Sequence, residues 1–506
     1  MKRISLLIIA FACFWGTVSA QNTTLRLSLK NTTATSCNLW IPQYSFRWGY
    51  LGKGSADIPL DAEKNATYNI QLLKPVFAVL TLANADGRNA HEIEYNLYLS
   101  PGDQLNVIAD LQDSKFTVTG KGSNNNQPLL AILPEPSLRR FYGDTLPGRV
   151  LAVLNKYHSD LEAVFAKYIK TYKPSADFIK NETADISYAV PSRYYAFKES
   201  NALNISQVYS KYKDAWKKVQ DSLFINVKLN NSNAIIARNY LSLLKTFVWR
   251  EKERLWRESS KNEVGFCRDY YNSDTTTGKK LFNEDMQNRF QQKIVQKNFT
   301  GSAREYGYAE VLDDALGSHN PVNVVTIFDD FKKSYPNSEY VKWYGPTIDT
   351  IRKQEAQPLA KEMILAPFNG SKLNTFDDVL ALAKGKTVLL DMWGTWCVPC
   401  RNEISNNGPA IKAYFKDKGL DYFYIANNDM WHEDAWKELI TYLNMTGTHI
   451  LANPTLSKNI MSTVKGSGYP TYIIIKKNGT WELSNAGYPI KMDVLKKQLD
   501  AALAVK

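Results

Sequence analysis

Residues 390–403 read LDMWGTWCVPCRNE, and this stretch decides the fold of the C-terminal part of the chain. The apolar run Thr387 to Trp393 that leads into it is typical of a strand buried on both faces. Cys397 follows that run, and Cys400 lies one helical turn further on. A cysteine at a helix N-terminus faces unpaired N–H groups and the positive end of the helix dipole, which stabilise the reactive thiolate. We therefore expect Cys397 to be an exposed nucleophile and Cys400 the more buried resolving thiol.

A Cys-x-x-Cys pair also occurs in zinc sites, where it needs a second pair or nearby histidines. The histidines of this chain are dispersed, at positions 91, 158, 319, 432 and 449. We therefore expect no metal, and no cofactor other than a redox-active disulfide between Cys397 and Cys400.

From about residue 357 the pattern alternates between strands and helices. Asn478-Gly479 is a strong hairpin signal, and the closing apolar stripe has helical spacing. The predicted elements after residue 403 are a strand Asp421–Ala426, a helix His432–Met445, and hairpin strands Tyr472–Ile475 and Thr480–Leu483. A closing helix follows, whose apolar face is formed by Met492, Leu495, Leu499, Ala502 and Leu503. This succession predicts an α/β thioredoxin-like domain over residues 357–506.

With these elements in order, residues 390–403 resemble the active-site signature of TlpA/ResA-like thiol–disulfide oxidoreductases, a branch of the thioredoxin superfamily. Gly468-Tyr469-Pro470-Thr471 is similar to the cis-proline loop of that family. The long gap between Cys400 and Pro470 matches the strand–helix insert of the branch. The resemblance implies that Trp396, Tyr469 and Pro470 bind substrate, with Trp393 and Trp396 as an apolar collar.

The resemblance also implies roles for two carboxylates. Asp391 matches the buried aspartate of thioredoxins, which takes part in proton transfer at the resolving cysteine. Glu403 matches an acidic residue of ResA-like proteins, and a carboxylate there either accepts a thiol proton or raises thiol pKa values. A favourable first-turn charge is the alternative reading of Glu403.

One position departs from the family pattern. The family has a proline five residues after the second cysteine, and this chain has Ser405 there. Gly408-Pro409 follows, and this dipeptide predicts a break or a late kink in the helix after Cys400.

Upstream of residue 357 the period of the apolar pattern changes once. Residues 21–127 alternate with period two and predict an all-β, sandwich-like domain, either an antiparallel sandwich or a small barrel. Its Leu99–Asp103 and Gly120–Ser123 segments resemble a β-domain that often precedes such redox domains in exported Bacteroidota proteins. Residues 128–356 show helical spacing, with stripes over Val150–Tyr168, Ser232–Trp256 and Val325–Tyr335. The fold class expected is thus β-rich, then α-helical, then α/β.

The N-terminus has the pattern of an export signal. Lys2 and Arg3 precede an apolar run, and Val18-Ser19-Ala20 supplies small residues for cleavage. We expect residues 1–20 to be a signal peptide and the protein to be exported to the periplasm. A lipoprotein signal that uses Cys13 is the alternative and would tether it to the membrane. Of the remaining cysteines, Cys37 and Cys267 are expected to be buried free thiols or a pair across domains.

The leading functional hypothesis is a periplasmic reductase of protein disulfides. The resemblance implies a membrane thiol-transfer protein of the CcdA/DsbD type as electron donor and apocytochrome c thiols as one target. One alternative is a DsbA-like oxidase or isomerase. Such an oxidant stabilises its reduced thiolate unusually well, and Val398, between the cysteines, cannot do so, which counts against this alternative. The other alternative is a ligand-binding protein that uses the thioredoxin domain as a scaffold. The formal charge of +12 is scattered, so no nucleic-acid partner is expected.

Overall fold

The structure is a computed structural model that describes residues 21–83, 92–113, 115–128, 135–285 and 288–505. The predicted signal peptide 1–20, with Cys13, lies outside the described residues. The chain forms two compact units. One contains residues 21–45, 53–223 and 236–241, and the other contains residues 46–52, 224–235 and 242–505. The borders expected at residues 127 and 356 fall inside these units and stay predictions.

The first unit contains two four-stranded sheets around one apolar core. One sheet has the order β4-β1-β7-β8 and the other β3-β2-β5-β6. The strands are β1 (Gln21–Lys30), β2 (Ser36–Trp40), β3 (Ser55–Pro59), β4 (Asn65–Leu72), β5 (Val76–Ala83), β6 (Glu92–Leu99), β7 (Gln104–Asp110) and β8 (Lys115–Lys121). Leu25, Leu27 and Leu29 are all buried, as the alternation predicts. The expectation of a wholly antiparallel arrangement is wrong, because β1 and β7 pair in parallel. Parallel pairing needs a long connection, and the whole second sheet supplies it here.

Three helices complete the first unit: α1 (Gly148–Tyr172), α2 (Ala176–Asn204) and α3 (Tyr209–Leu223). The stripe predicted from Val150 to Tyr168 lies on α1, which buries Val150, Leu154, Phe165 and Tyr168. The helical period of the sequence therefore identified the packed face of this helix.

Seven helices follow α3 among the described residues, and all of them belong to the second unit except residues 238–241 at the start of α4, which belong to the first. They are α4 (Arg238–Lys261), α5 (Glu263–Tyr271), α6 (Thr275–Asp285), α7 (Asn288–Asn298), α8 (Gly301–Gly317), α9 (Val324–Ser334) and α10 (Glu339–Glu355). The stripe predicted from Ser232 begins too early, since residues 232–234 form a short 3-10 turn before α4. In the parts of the chain that the structure describes, every helix is too short or too polar to cross a membrane.

A six-stranded sheet with the order β14-β13-β10-β11-β12-β9 forms the rest of the second unit. Its elements are β9 (Met363–Leu365), α11 (Phe376–Leu382), β10 (Thr387–Trp393), α12 (Val398–Phe415), β11 (Leu420–Ala426), α13 (Glu433–Tyr442), β12 (Gly447–Leu451), α14 (Pro454–Thr463), β13 (Thr471–Ile475), β14 (Trp481–Leu483) and α15 (Met492–Leu503). Strand β10 is central and buried throughout, parallel to β11 and antiparallel to β13. This placement puts the C-terminal end of β10, and the cysteines after it, at the centre of one sheet edge.

The two faces of β10 carry different helices. Leu389 and Trp393 face α12, α13 and α15, whereas Val388, Leu390 and Met392 face α11 and α14. The predicted break in the helix after Cys400 is wrong, because α12 runs unbroken through Gly408 and Pro409. A proline inside a helix removes a single hydrogen bond, and packing of Ile404, Ile411 and Phe415 on the sheet offsets that loss.

Candidate redox site

The two cysteines lie where the strand β10 gives way to the helix α12. Cys397 and Cys400 form a disulfide. Cys397 is the N-cap residue of α12, and its Sγ accepts a hydrogen bond from the backbone N–H of Cys400 at 3.2 Å. Pro399 lies in the first turn, where a backbone N–H has no helical partner. Its lack of an N–H therefore costs the helix no hydrogen bond. The first turn of α12 therefore points a backbone N–H donor at the Cys397 sulfur, an arrangement that stabilises a thiolate.

Both sulfurs are buried. Cys397 is 3% exposed and Cys400 is fully buried, so the expectation of an exposed Cys397 is wrong in this structure. The reason is local packing: Cys397 belongs to an apolar cluster that includes Trp393 and, from the connection between α8 and α9, Val322. The sequence pattern of the α/β part alone could not reveal a cover that comes from the helical part.

Asp391 lies at the centre of β10. In the register of the sheet it stands opposite Tyr424 on β11 and Tyr472 on β13, and all three side chains are buried. Burial, followed by the negative charge of Glu403, raises the pKa of Asp391 to about 8. Its Oδ1 has no hydrogen-bond partner among the described residues. A buried carboxyl with this pKa can exchange a proton near neutral pH.

Glu403 lies on α12 and faces the same region. Its carboxylate accepts hydrogen bonds from the side-chain amide of Asn407 and from the backbone N–H of Ile490. A cavity of about 30 Å³ is lined by both Asp391 and Glu403, which is room enough for water. The structure thus brings together the two carboxylates that the sequence singled out.

The predicted substrate-binding residues form the exposed side of the site. Trp396 is 40% exposed, and its indole N–H donates to the carbonyl of Asn427 at 2.9 Å. Its ring meets that of Tyr469 edge-to-face, with centroids 5.6 Å apart. The peptide bond between Tyr469 and Pro470 is cis. Trp393 is fully buried beneath the site, so the solvent-facing rings are the exposed Trp396 and the partly buried Tyr469.

Sequence reasoning missed two buried charges beside the disulfide. Asp429 accepts hydrogen bonds from the backbone N–H and the hydroxyl of Thr395, at 2.8 Å and 2.6 Å. Burial raises the pKa of Asp429 to about 6, against the opposing effects of those hydrogen bonds and of Arg401. Asp429 follows β11, whose C-terminal end adjoins that of the parallel strand β10. Residues at such ends meet at one sheet edge, and this signal could have identified it.

The second missed charge is Arg401, which lies within residues 390–403. It is 1% exposed, and its guanidinium donates to the carbonyls of Thr395 and Ser318. Burial lowers its pKa to about 10, so it stays charged at neutral pH. Arginine is almost never fully buried unless paired. No sequence signal shows that a carbonyl of the helical part would accept a hydrogen bond from it.

The other described cysteines lie outside the redox site. Cys37 and Cys267 are buried free cysteines, one in each unit. Across the described ranges, no group of three or more His, Cys, Asp or Glu side chains could hold a metal ion.

The fold and the site together define a thioredoxin-like redox domain. No family model matches the chain. Thioredoxin-like protein YneN of Bacillus subtilis is 30% identical over 146 residues, which are 28% of this chain and 78% of that protein. Thiol-disulfide oxidoreductase ResA of Bacillus anthracis is 28% identical over 123 residues, which are 24% of this chain and 63% of that protein. The chain therefore spans less than two thirds of ResA.

Two solved structures are similar over a comparable share of the chain. The thioredoxin domain of a thiol-disulfide oxidoreductase from Bacteroides vulgatus is 22% identical and covers 24% of this chain and 84% of its own, with a TM-score of 0.21. A thioredoxin-family thiol:disulfide interchange protein from Chlorobium tepidum is 23% identical, with coverage of 24% and 84% and a TM-score of 0.20. The relationship to YneN assigns the family, because it combines 30% identity with coverage of 78% of that protein. The chain belongs to the TlpA/ResA-like thiol–disulfide oxidoreductases of the thioredoxin superfamily.

Proposed function

We propose that this protein is an exported, periplasmic reductase that opens protein disulfides through Cys397 and Cys400. One observation carries the proposal: the pair caps the N-terminus of α12 directly beside the half-exposed rings of Trp396 and Tyr469. Donors of the helix stabilise the Cys397 thiolate, and the two rings offer an apolar surface for a substrate segment.

The exchange proceeds in two steps that conserve electrons. The Cys397 thiolate attacks one sulfur of the substrate disulfide, a mixed disulfide forms, and the other substrate sulfur leaves as a thiolate that takes up a proton. Cys400 then loses its proton and attacks Cys397, which releases the second substrate thiol. The substrate gains two electrons and the Cys397–Cys400 pair becomes the disulfide.

Asp391 is the proposed acceptor of the Cys400 proton. It is buried, its pKa is raised to about 8, and its Oδ1 has no partner among the described residues. Glu403 keeps that pKa high through its negative charge and lines the same cavity. A base with a pKa close to the working pH suits a proton transfer in either direction.

The oxidised pair needs a dithiol donor for the next turnover. A membrane thiol-transfer protein of the CcdA/DsbD type is the proposed donor, and apocytochrome c is one proposed substrate. The signal-like residues 1–20 support export, with the protein either free in the periplasm or tethered to its membrane.

The experiment is reduction of insulin by the full chain in the presence of dithiothreitol, comparing the native protein with Cys397→Ser. Cys267→Ser is the matched control, because it removes one buried free thiol elsewhere. We expect Cys397→Ser to fall to the dithiothreitol background and Cys267→Ser to keep the native rate. A Cys397→Ser protein as fast as the native one would contradict the proposal.

A further inference from the structure

The connection between α8 and α9, residues 318–322, lies against the redox centre; we call it the 318–322 segment. It belongs to the helical part of the second unit, upstream of the α/β sheet. Val322 joins the apolar cluster that contains Trp393, Cys397 and Cys400. Cys397 is nearly fully buried, although the adjacent Trp396 is 40% exposed. A residue of the helical part thus shares the buried cluster of the disulfide, and the exposed Trp396 precedes Cys397 in the chain.

Two buried side chains hold the 318–322 segment from opposite ends. Arg401 of α12 donates from Nε to the carbonyl of Ser318 at 2.9 Å. Asn288 of α7 donates from Nδ2 to the carbonyls of Asn320 and Val322, at 2.9 Å and 2.8 Å. Asn288 and Arg401 are both almost fully buried. Hydrogen bonds of buried groups are costly to break without replacement, so the segment is fixed in place.

We infer that the 318–322 segment determines the substrate specificity of the redox site by restricting which disulfides can approach Cys397. The inference rests on the proposed function. A thiolate must come within about 3–3.5 Å of the sulfur it attacks, in line with the bond that breaks. A small disulfide, or a cysteine on a flexible peptide, can enter from the side of Trp396 and Tyr469. A disulfide in a folded protein surface reacts more slowly, because the segment restricts its approach.

The electron balance is that of the proposed reaction: two electrons pass from the Cys397–Cys400 dithiol to one substrate disulfide, whichever substrate enters. The segment changes the rate for bulky substrates and leaves the chemistry of the pair untouched. A purely structural role for the segment would change the rates for small and bulky substrates in the same proportion.

The test compares two substrates and two matched variants of the full chain. The substrates are oxidised glutathione, as a small disulfide, and folded insulin. Asn288→Ala removes the two hydrogen bonds that Asn288 donates to the segment and leaves the one from Arg401 in place. Asn453→Ala is the control, because Asn453 likewise donates to two backbone carbonyls, those of Ser371 and Leu373, near α14. We expect Asn288→Ala to raise the ratio of the insulin rate to the glutathione rate about tenfold, because a modest lowering of the activation barrier has this effect. Asn453→Ala should leave that ratio unchanged.

A second variant decides the matter if Asn288→Ala folds poorly. Val322→Ala shrinks the apolar cover without removing a hydrogen bond, and we expect the same direction of change. Folded Asn288→Ala or Val322→Ala protein with the native ratio of rates overturns the inference. A native protein that reduces neither substrate contradicts the proposed function instead, so the two failures are distinguishable.

Discussion

The guanidinium of Arg401 donates a hydrogen bond from Nε to the carbonyl oxygen of Ser318 at 2.9 Å. It joins the first turn of the helix behind the redox cysteines to a connection between two helices 83 residues upstream. The same guanidinium also donates to Thr395 in the loop before Cys397. The redox loop is therefore shaped by residues outside the thioredoxin-like sequence as well as within it.

Removal of the resolving thiol should trap the first step of the exchange. We expect Cys400→Ser to accumulate a mixed disulfide between Cys397 and its substrate. This adduct persists because the thiol that would attack Cys397 and release the substrate is missing. Non-reducing electrophoresis after incubation with a disulfide-containing protein measures it. Cys397→Ser should show no adduct, and an adduct on Cys400 in that variant would reverse the assigned roles.

The raised pKa of Asp391 predicts a pH-dependent stability of the oxidised protein. The folded state keeps the proton up to about pH 8, while the unfolded chain releases it near about pH 4. Between these values the folded state binds more protons, so stability falls as pH rises. The Asp391 contribution falls by at most about 1.4 kcal/mol per pH unit.

Denaturant unfolding of Asp391→Asn across this range measures the effect. The variant should gain stability relative to the native protein as pH rises, because asparagine does not ionise. Asp421→Asn, an exposed carboxylate near the start of β11, is the control and should track the native protein. A constant difference between native and Asp391→Asn protein at every pH would contradict the burial argument.

The same group should shape the pH dependence of turnover. Asp391 accepts the Cys400 proton only when ionised, so the rate of insulin reduction should rise with pH and level off above about pH 8. We expect Asp391→Asn to lose about a hundredfold in rate, a common value for one general base. A variant with the native rate and profile would remove Asp391 from the mechanism.

The buried contact between Thr395 and Asp429 should matter to stability. Thr395→Val keeps the shape of the side chain but removes the hydroxyl that donates to Asp429 at 2.6 Å. Loss of a donor to a buried carboxylate costs about 1–3 kcal/mol, measurable by thermal or urea unfolding. Thr463→Val, at an exposed threonine that ends α14, should change stability by less than about 0.5 kcal/mol. Equal effects of the two substitutions would be inconsistent with a buried polar contact.

The exposed ring of Trp396 should contribute to binding of protein substrates. We expect Trp396→Ala to lower kcat/KM for insulin about tenfold or more, because a half-exposed aromatic side chain beside the sulfur offers a large contact area. The rate with oxidised glutathione should change much less. Tyr414→Ala is the matched control, since Tyr414 is also 40% exposed but lies near the far end of α12. An equal loss for both substrates would assign Trp396 to the chemistry instead.

The sequence predicted the parts of this fold that depend on local pattern. The strand Thr387–Trp393 agrees with the structure to the residue, because a fully apolar run leaves few alternatives. The apolar stripe predicted for the closing helix lies on α15. The resemblance brought Asp391 and Glu403 to attention, and the structure places them on one cavity.

What the sequence did not predict depends on contacts between distant segments. The parallel pairing of β1 with β7, the burial of Arg401 and the cover over Cys397 each need residues far apart in the chain. Local propensity carries no information about such pairs. Pro409 failed as a helix breaker for a similar reason, since packing on the sheet outweighs one lost hydrogen bond.

The measurement that tests the central claim most directly is the equilibrium reduction potential of the Cys397–Cys400 pair in glutathione or dithiothreitol buffers. A reductase of protein disulfides requires a potential close to that of thioredoxin, about −270 mV, and this is the value we predict. A potential near that of DsbA, about −120 mV, would make the pair an oxidant and contradict the proposed direction of electron flow.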